Sequence, residues 1–206
     1  MRVAILGGTG SFGRALAARL AAAGEDEVVI GSRDPERAAA AAAELGVEGA
    51  TNAEAVQGVD LAVLAVKADA AIPTAEEIAG ALGETPLLSV ASALSFGADG
   101  VRADPDARSI AERVAELVRG PVAAGLHTLA AANLAAEPPD EDALVCGDDP
   151  RAKELALELA GRVVRGHALD AGPLASARAL EGLTAVIVNL NRRYRAHAGL
   201  RVTGLP

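Results

Sequence analysis

Three glycines spaced Gly8-x-Gly10-x-x-Gly13 follow the apolar run Val3-Ala4-Ile5-Leu6 and open an alanine- and leucine-rich segment. Strand, glycine turn and helix in that order make a dinucleotide-binding fingerprint. The first glycine permits a tight turn. The second lets the main chain approach a pyrophosphate, and the third lets helix and strand pack closely. The helix start offers free N–H groups and a positive dipole end to the anion.

The next chemically informative residues come about 20 positions on, where a carboxylate would bond the ribose 2′-hydroxyl of NAD. This chain has Gly31-Ser32-Arg33 there, after a second strand over Glu27 to Ile30. A guanidinium with paired donors and a hydroxyl suit a 2′-phosphate, so the expected cofactor is NADP(H). Arg37 is placed to join them from the first turn of the following helix. Asp34-Pro35 reads as the cap and first position of that helix, which gives this off-register acid a local role.

Beyond these, titratable groups are sparse. Lys67 follows the apolar run Asp60 to Val66, where it either touches a phosphate or ribose or is a solvated lysine. His127 stands at a strand end near the expected nicotinamide. It either positions a carbonyl and serves as a proton partner, or bonds a loop carbonyl structurally. There is no Tyr-x-x-x-Lys dyad, since Ala198 stands four residues after Tyr194. No His/Asp/Glu cluster has metal-ligand spacing, and no Lys-Ser/Thr follows the glycines. Hydride transfer between two cofactors needs little beyond placing two rings face to face, whereas alcohol oxidation needs a clear base.

The elements that must position these residues alternate strand and helix. Thr51 to Glu54 has capping-box spacing. A helix is expected behind Pro73, opening at Thr74. Strands are expected at Pro86–Val90 and Pro121–Ala124, with Ser89, Ser92 and Ser95 lining the segment after the first and a polar loop from Gly97 to Asp106. A helical stripe runs through Ile110, Val114, Leu117 and Val118. Further strands are expected ending at Cys146 and spanning Val163–Leu169, before a long helix carrying Leu180, Leu183, Ile187 and Leu190 as core or subunit interface. This pattern predicts a Rossmann-type, doubly wound α/β fold with a parallel sheet and a smaller C-terminal α/β extension. The expected division is an NADP-binding part over 1–125 and a smaller part over 126–206, or one continuous domain.

The 206 residues are 51% hydrophobic but 1% aromatic, so the core must be aliphatic. A net charge of −9 argues against nucleic acid or an anionic membrane as partner. The single cysteine, Cys146, excludes an internal disulfide and reads as a buried strand end. The N-terminus enters a strand directly, without the pattern of a signal peptide, and no apolar run approaches the roughly 20 residues of a membrane span. The expectation is a soluble cytoplasmic protein. Arg192, Arg193, Arg195 and Arg201 form a basic C-terminal cluster, which either meets an anionic tail or is a solvated face favoured by the helix dipole.

Over nearly its whole length the sequence resembles the NADPH-dependent reductases of the deazaflavin coenzyme F420. The resemblance rests on Leu6-Gly7-Gly8-Thr9-Gly10, Val29-Ile30-Gly31-Ser32-Arg33, Asp60 to Leu64, Leu126-His127-Thr128, Val145 to Asp149 and Leu169 to Leu174. It implies that Thr9, Gly10, Ser11 and Phe12 meet the pyrophosphate side of NADP, and that Ser32 and Arg33 hold the 2′-phosphate. The segment after Ser89 and the His127-Thr128-Leu129 turn would wall the deazaflavin site of a homodimer. Hydride would pass directly between nicotinamide and deazaflavin. The chain departs from the family's pattern at Lys67-Ala68, at Ser89 to Ala93 and at Phe96. It also resembles the NADPH domain of membrane ferric reductases at the glycine turn, at Ser32-Arg33 and from Asp170 to Arg178. A flavin or ferric reductase and a non-catalytic NADP-sensing module are therefore the alternatives.

Overall fold

The computed structural model describes residues 1–105 and 108–205. Arg2–Leu6 form β1, whose alternating side chains enter two cores: Val3 and Ile5 on one face, Ala4 and Leu6 on the other. A strand covered on both faces must be apolar throughout. Helix α1 (Ser11–Ala23) packs Leu16 and Leu20 onto the first face and stops at the left-handed Gly24. Strand β2 (Glu27–Ser32) leads to α2 (Pro35–Leu45), capped by Asp34, which accepts from Glu36 N–H and Arg37 N–H. Strand β3 (Glu48–Thr51) runs into the short α3 (Asn52–Ala55), whose capping box joins Thr51 and Glu54 in both directions.

Strand β4 (Leu61–Leu64), helix α4 (Ala68–Leu82) and strand β5 (Leu87–Ser89) follow. Helix α4 begins six residues before the expected Thr74 and runs through Pro73. The ring takes a helical φ at the loss of one main-chain hydrogen bond, and burial of Ala71, Thr74, Ala75 and Ile78 holds the turn together. The expected polar loop is instead an antiparallel hairpin, β6 (Leu94–Gly97) and β7 (Gly100–Ala103), with Val101 buried. Asp106, the expected end of that loop, lies outside the described residues.

Helix α5 (Ile110–Ala115), β8 (Val122–Gly125), α6 (Ala131–Ala136), β9 (Ala143–Gly147) and α7 (Pro150–Val163) come next. The strand expected over Val163–Leu169 shortens to β10, Ala168–Asp170. Leu155, Leu159 and Val163 lie on one buried face, which carries α7 through Val163. A 3₁₀ turn at Leu174–Ser176 leads into α8 (Ala177–Tyr194).

Eight strands form one sheet in the order β10-β9-β8-β5-β4-β1-β2-β3. The six strands from β8 to β3 are parallel, as expected. At the β8–β9 pair the direction reverses, with Ala124 opposite Cys146 and Gly125 opposite Val145. The expected all-parallel sheet is therefore mostly parallel. Helices α1, α2 and α7 cover one face, and α3, α4, α5 and the start of α8 the other. Cys146 is fully buried, and burial pushes its thiol up to about 11. No helix among the described residues is long and apolar enough to cross a membrane.

Candidate active site

The carboxyl ends of β1, β4, β5 and β8 share one edge, with the crossover point of the sheet between β1 and β4. In open α/β sheets that crevice is where ligands bind. The tight turn over it depends on Gly7, one residue before the expected Gly8. Its φ is +79°, and a Cβ there would lie 2.7 Å from the Ala65 carbonyl oxygen. Its N–H donates to the Gly31 carbonyl at 3.1 Å. Gly8 is wedged against Ile30, and a Cβ on Gly13 would meet Gly7 O at 2.5 Å. Gly10 differs: a Cβ there would meet only Gly7 O, at 3.2 Å. Its open side is where main chain can approach a phosphate. The first bond within α1 runs from Arg14 N–H to Gly10 O at 2.9 Å, and no side chain caps Gly10. The N–H groups of Ser11, Phe12 and Gly13 thus point out of the helix start. Thr9 is half-buried, Ser11 exposed, and Phe12 half-buried against the first core.

At the end of β2, Ser32 is buried and its Oγ accepts from Asp34 N–H at 3.2 Å. The hydroxyl proton stays free to donate. Arg33 and Arg37 are exposed, and neither has an ion-pair partner among the described residues. Asp34 is committed to its cap. The corner thus offers cationic donors where a ribose-binding carboxylate would otherwise stand. Lys67 is exposed at the start of α4, beyond the end of β4, without an ion pair among the described residues.

The ends of β5 and β8 carry a different set. Ser89 Oγ, Thr128 Oγ1 and both ring nitrogens of His127 are buried with no hydrogen-bond partner among the described residues. Buried polar atoms are normally paired, so a group left unpaired calls for an explanation. Burial lowers the His127 imidazole to about 4, while the Ala91 main chain weakly favours its charged form. His127 is thus a neutral donor and acceptor near pH 7. Leu126, just before it, is a non-glycine residue at φ +62°. Leu129 closes the turn by donating to Leu126 O at 3.1 Å, and its side chain lies in the first core.

Three residues that sequence reasoning passed over hold this region. Thr184 Oγ1 donates to the His127 carbonyl at 2.9 Å and contacts Ser92 Oγ at 2.8 Å. Glu181, 1% exposed, accepts from Ile110 N–H at 2.7 Å. Burial pushes its carboxyl up to about 7, against main-chain donors at Ala111, Ile110 and Ala93 and the Arg178 charge. Asn189 bonds both the N–H and the carbonyl of Val101, at 2.8 and 2.7 Å, fixing the hairpin on α8. The available signal was polar residues at 181, 184 and 189 within the apolar stretch Ala179 to Leu190.

Two of the segments carrying the resemblance prove to touch each other. Asp148 Oδ1 accepts from Leu174 N–H at 3.0 Å, Gly147 N–H donates to Gly172 O at 3.0 Å, and Asp170 Oδ1 accepts from Gly172 N–H at 2.8 Å. They set the path of the chain into α8. Of the C-terminal arginines, Arg201 pairs with Asp140 at 2.5 Å and so leaves the basic cluster.

Known proteins share this chain's sequence and fold over nearly its whole length. Residues 2–93 match the family model described as NADP oxidoreductase, coenzyme F420-dependent. The F420-dependent NADP reductase of Methanothermobacter thermautotrophicus is 38% identical over all of this chain and 96% of its own length. That of Methanocaldococcus jannaschii is 31% identical over all of this chain and 99% of its own. A crystal structure from Arthrobacter sp. FB24, provisionally assigned as an F420-dependent NADP reductase, superposes with a TM-score of 0.85. It is 26% identical over 99% of this chain and all of its own. The chain belongs to the family of F420-dependent NADP reductases.

Proposed function

We propose that this protein transfers a hydride directly between NADP(H) and coenzyme F420. The observation that carries the reading is the group of unpartnered buried polar atoms on Ser89, His127 and Thr128, on the same sheet edge as a glycine turn with an open, uncapped helix start. In this reading Gly8, Thr9, Gly10, Ser11, Phe12 and Gly13 receive the pyrophosphate. Ser32, Arg33 and Arg37 receive the 2′-phosphate, and Lys67 contacts phosphate or ribose. Ser89, His127, Thr128 and Leu129 wall the acceptor side, so residues 126–206 complete a site begun within 1–125. The nicotinamide and the deazaflavin supply the redox chemistry, and the protein supplies their alignment. His127 acts as a neutral hydrogen-bonding group that orients the acceptor, because its low basicity leaves it without the acidic second proton of an imidazolium near pH 7.

The exposed Val186, Leu190 and Tyr194 on α8 support a homodimer, since contiguous exposed apolar residues mark interaction surfaces. Light scattering should give twice the chain mass.

The test of function is an anaerobic mix of protein, NADPH and oxidised F420, following loss of deazaflavin absorbance, with FMN and NADH as controls. Rapid bleaching with NADPH and F420 alone is expected. Reaction with FMN in place of F420 would make the protein a flavin reductase. Tight NADPH binding without bleaching of either acceptor would make it a sensor.

A further inference from the structure

Resting on that acceptor assignment, we infer that Arg192 and Arg195, with the ring of Phe96, form a second subsite that holds an anionic tail on the acceptor. F420 carries phosphodiester and carboxylate groups beyond its ring and ribityl chain, which is the chemistry such a subsite takes.

The chain carries a net charge of −9, and nine of its nineteen Lys and Arg residues are held in ion pairs among the described residues. Arg192 and Arg195 have no ion-pair partner among the described residues. Arg192 lies in the last turn of α8 and Arg195 directly follows the helix, which ends at Tyr194. Thr184 touches Ser92 and the His127 carbonyl at that site. Residues 188 and 192 follow it four and eight positions on, so Arg192 is about 12 Å further along the axis. There its guanidinium lies 5.4 Å from the Phe96 ring centroid. Phe96 is 63% exposed and lies four residues beyond Ser92, so one short segment borders both the ring site and the arginines.

Arg195 adds an independent sign. It closes α8 at φ +52°, with its N–H donating to Asn191 O. That position favours glycine or asparagine. Among the described residues the only other non-glycine residue at positive φ is Leu126, in the turn of His127. Strain of this kind gathers at ligand clamps. Arg193 is one residue from Arg192 and therefore about 100° around the helix, with its side chain directed away from Thr184. The carbonyl end of a helix repels anions, so binding here depends on the guanidinium charges and is sensitive to salt.

The test is a fluorescence titration of wild type, R192Q/R195Q and R193Q with F420 and with its tail-less deazaflavin ribityl precursor. Steady-state kinetics are run in parallel. Wild type should bind F420 at least ten-fold more tightly than the precursor at low salt, and 0.5 M NaCl should erase most of that preference. R192Q/R195Q should bring the ratio near one through a raised F420 KM, while R193Q keeps the preference. Equal affinities in wild type, or a preference unchanged in R192Q/R195Q, would overturn the subsite while leaving the acceptor assignment standing. If neither compound binds wild type, the acceptor assignment fails and the subsite with it.

Discussion

The hydroxyl of Thr184 donates to the main-chain carbonyl of His127 across 2.9 Å, although 57 residues separate them. A threonine hydroxyl has one proton, so the 2.8 Å contact with Ser92 must be donated by Ser92. One side chain on α8 thereby ties the segments that follow β5 and β8. Thr184→Val removes both bonds and leaves partly buried polar groups unmet. A loss of about 1–3 kcal/mol in denaturant unfolding is expected, with a raised KM for the acceptor and little change for NADPH. Thr184→Ser should restore most of both.

Gly10 and Gly13 separate binding from folding. A Cβ at Gly13 would sit 2.5 Å from Gly7 O, so Gly13→Ala should lower stability by about 1–3 kcal/mol. Gly10 has an open side, so Gly10→Ala should melt like wild type yet bind NADPH far more weakly. Calorimetric melting and binding isotherms on the two variants check the contrast.

Arg33→Ala should weaken NADPH binding by roughly 10- to 100-fold, the size of a lost charged hydrogen bond, and leave NADH nearly unaffected. Equal losses for the two dinucleotides would remove the 2′-phosphate role from Arg33.

Glu181 makes stability depend on pH. Its carboxyl is raised to about 7 in the folded chain, against an ordinary value of 4.5. The folded state therefore favours the protonated form. Its contribution is complete below about pH 4.5 and is lost as pH rises through about 7, on the order of 3 kcal/mol. Glu181→Gln should flatten that part of the profile. The difference between the two profiles isolates Glu181 from Asp142 and Asp170, whose lowered values act in the opposite direction.

His127, lowered to about 4 by burial, should keep the ring ¹⁵N shifts of a neutral imidazole down to pH 5. A protonation midpoint near 6.5 would show the ring to be solvated and would return it to the list of proton donors.

Much of the nucleotide half was legible because its determinants are local. The glycine turn, the Asp34-Pro35 cap and the Thr51–Glu54 box each act within a few residues, and each forms as the sequence indicates. The reversal at β9 was not legible, because an apolar strand reads alike in either direction. The hairpin β6–β7 was missed because Asn189, distant in sequence, holds its edge. Pro73 concealed the first turn of α4, whose stability comes from tertiary burial. The acceptor side followed the same rule: His127 could be singled out by type, but Thr184 and Glu181 acquire meaning only once α8 is packed.

The strand reversal at β9 has a consequence for how this protein can change. Because β9 and β10 run against the other six strands of the sheet, α8 starts at the far end of the sheet and reaches the crevice with its middle turns. Helix α1 presents its beginning there, and α8 the side of its middle turns. At α1 an anion would meet main-chain amides, which exchanges outside the glycines leave in place. At α8 any anion must be met by side chains, which single codons can replace. The dinucleotide is therefore the conservative partner of this fold and the second substrate the adaptable one.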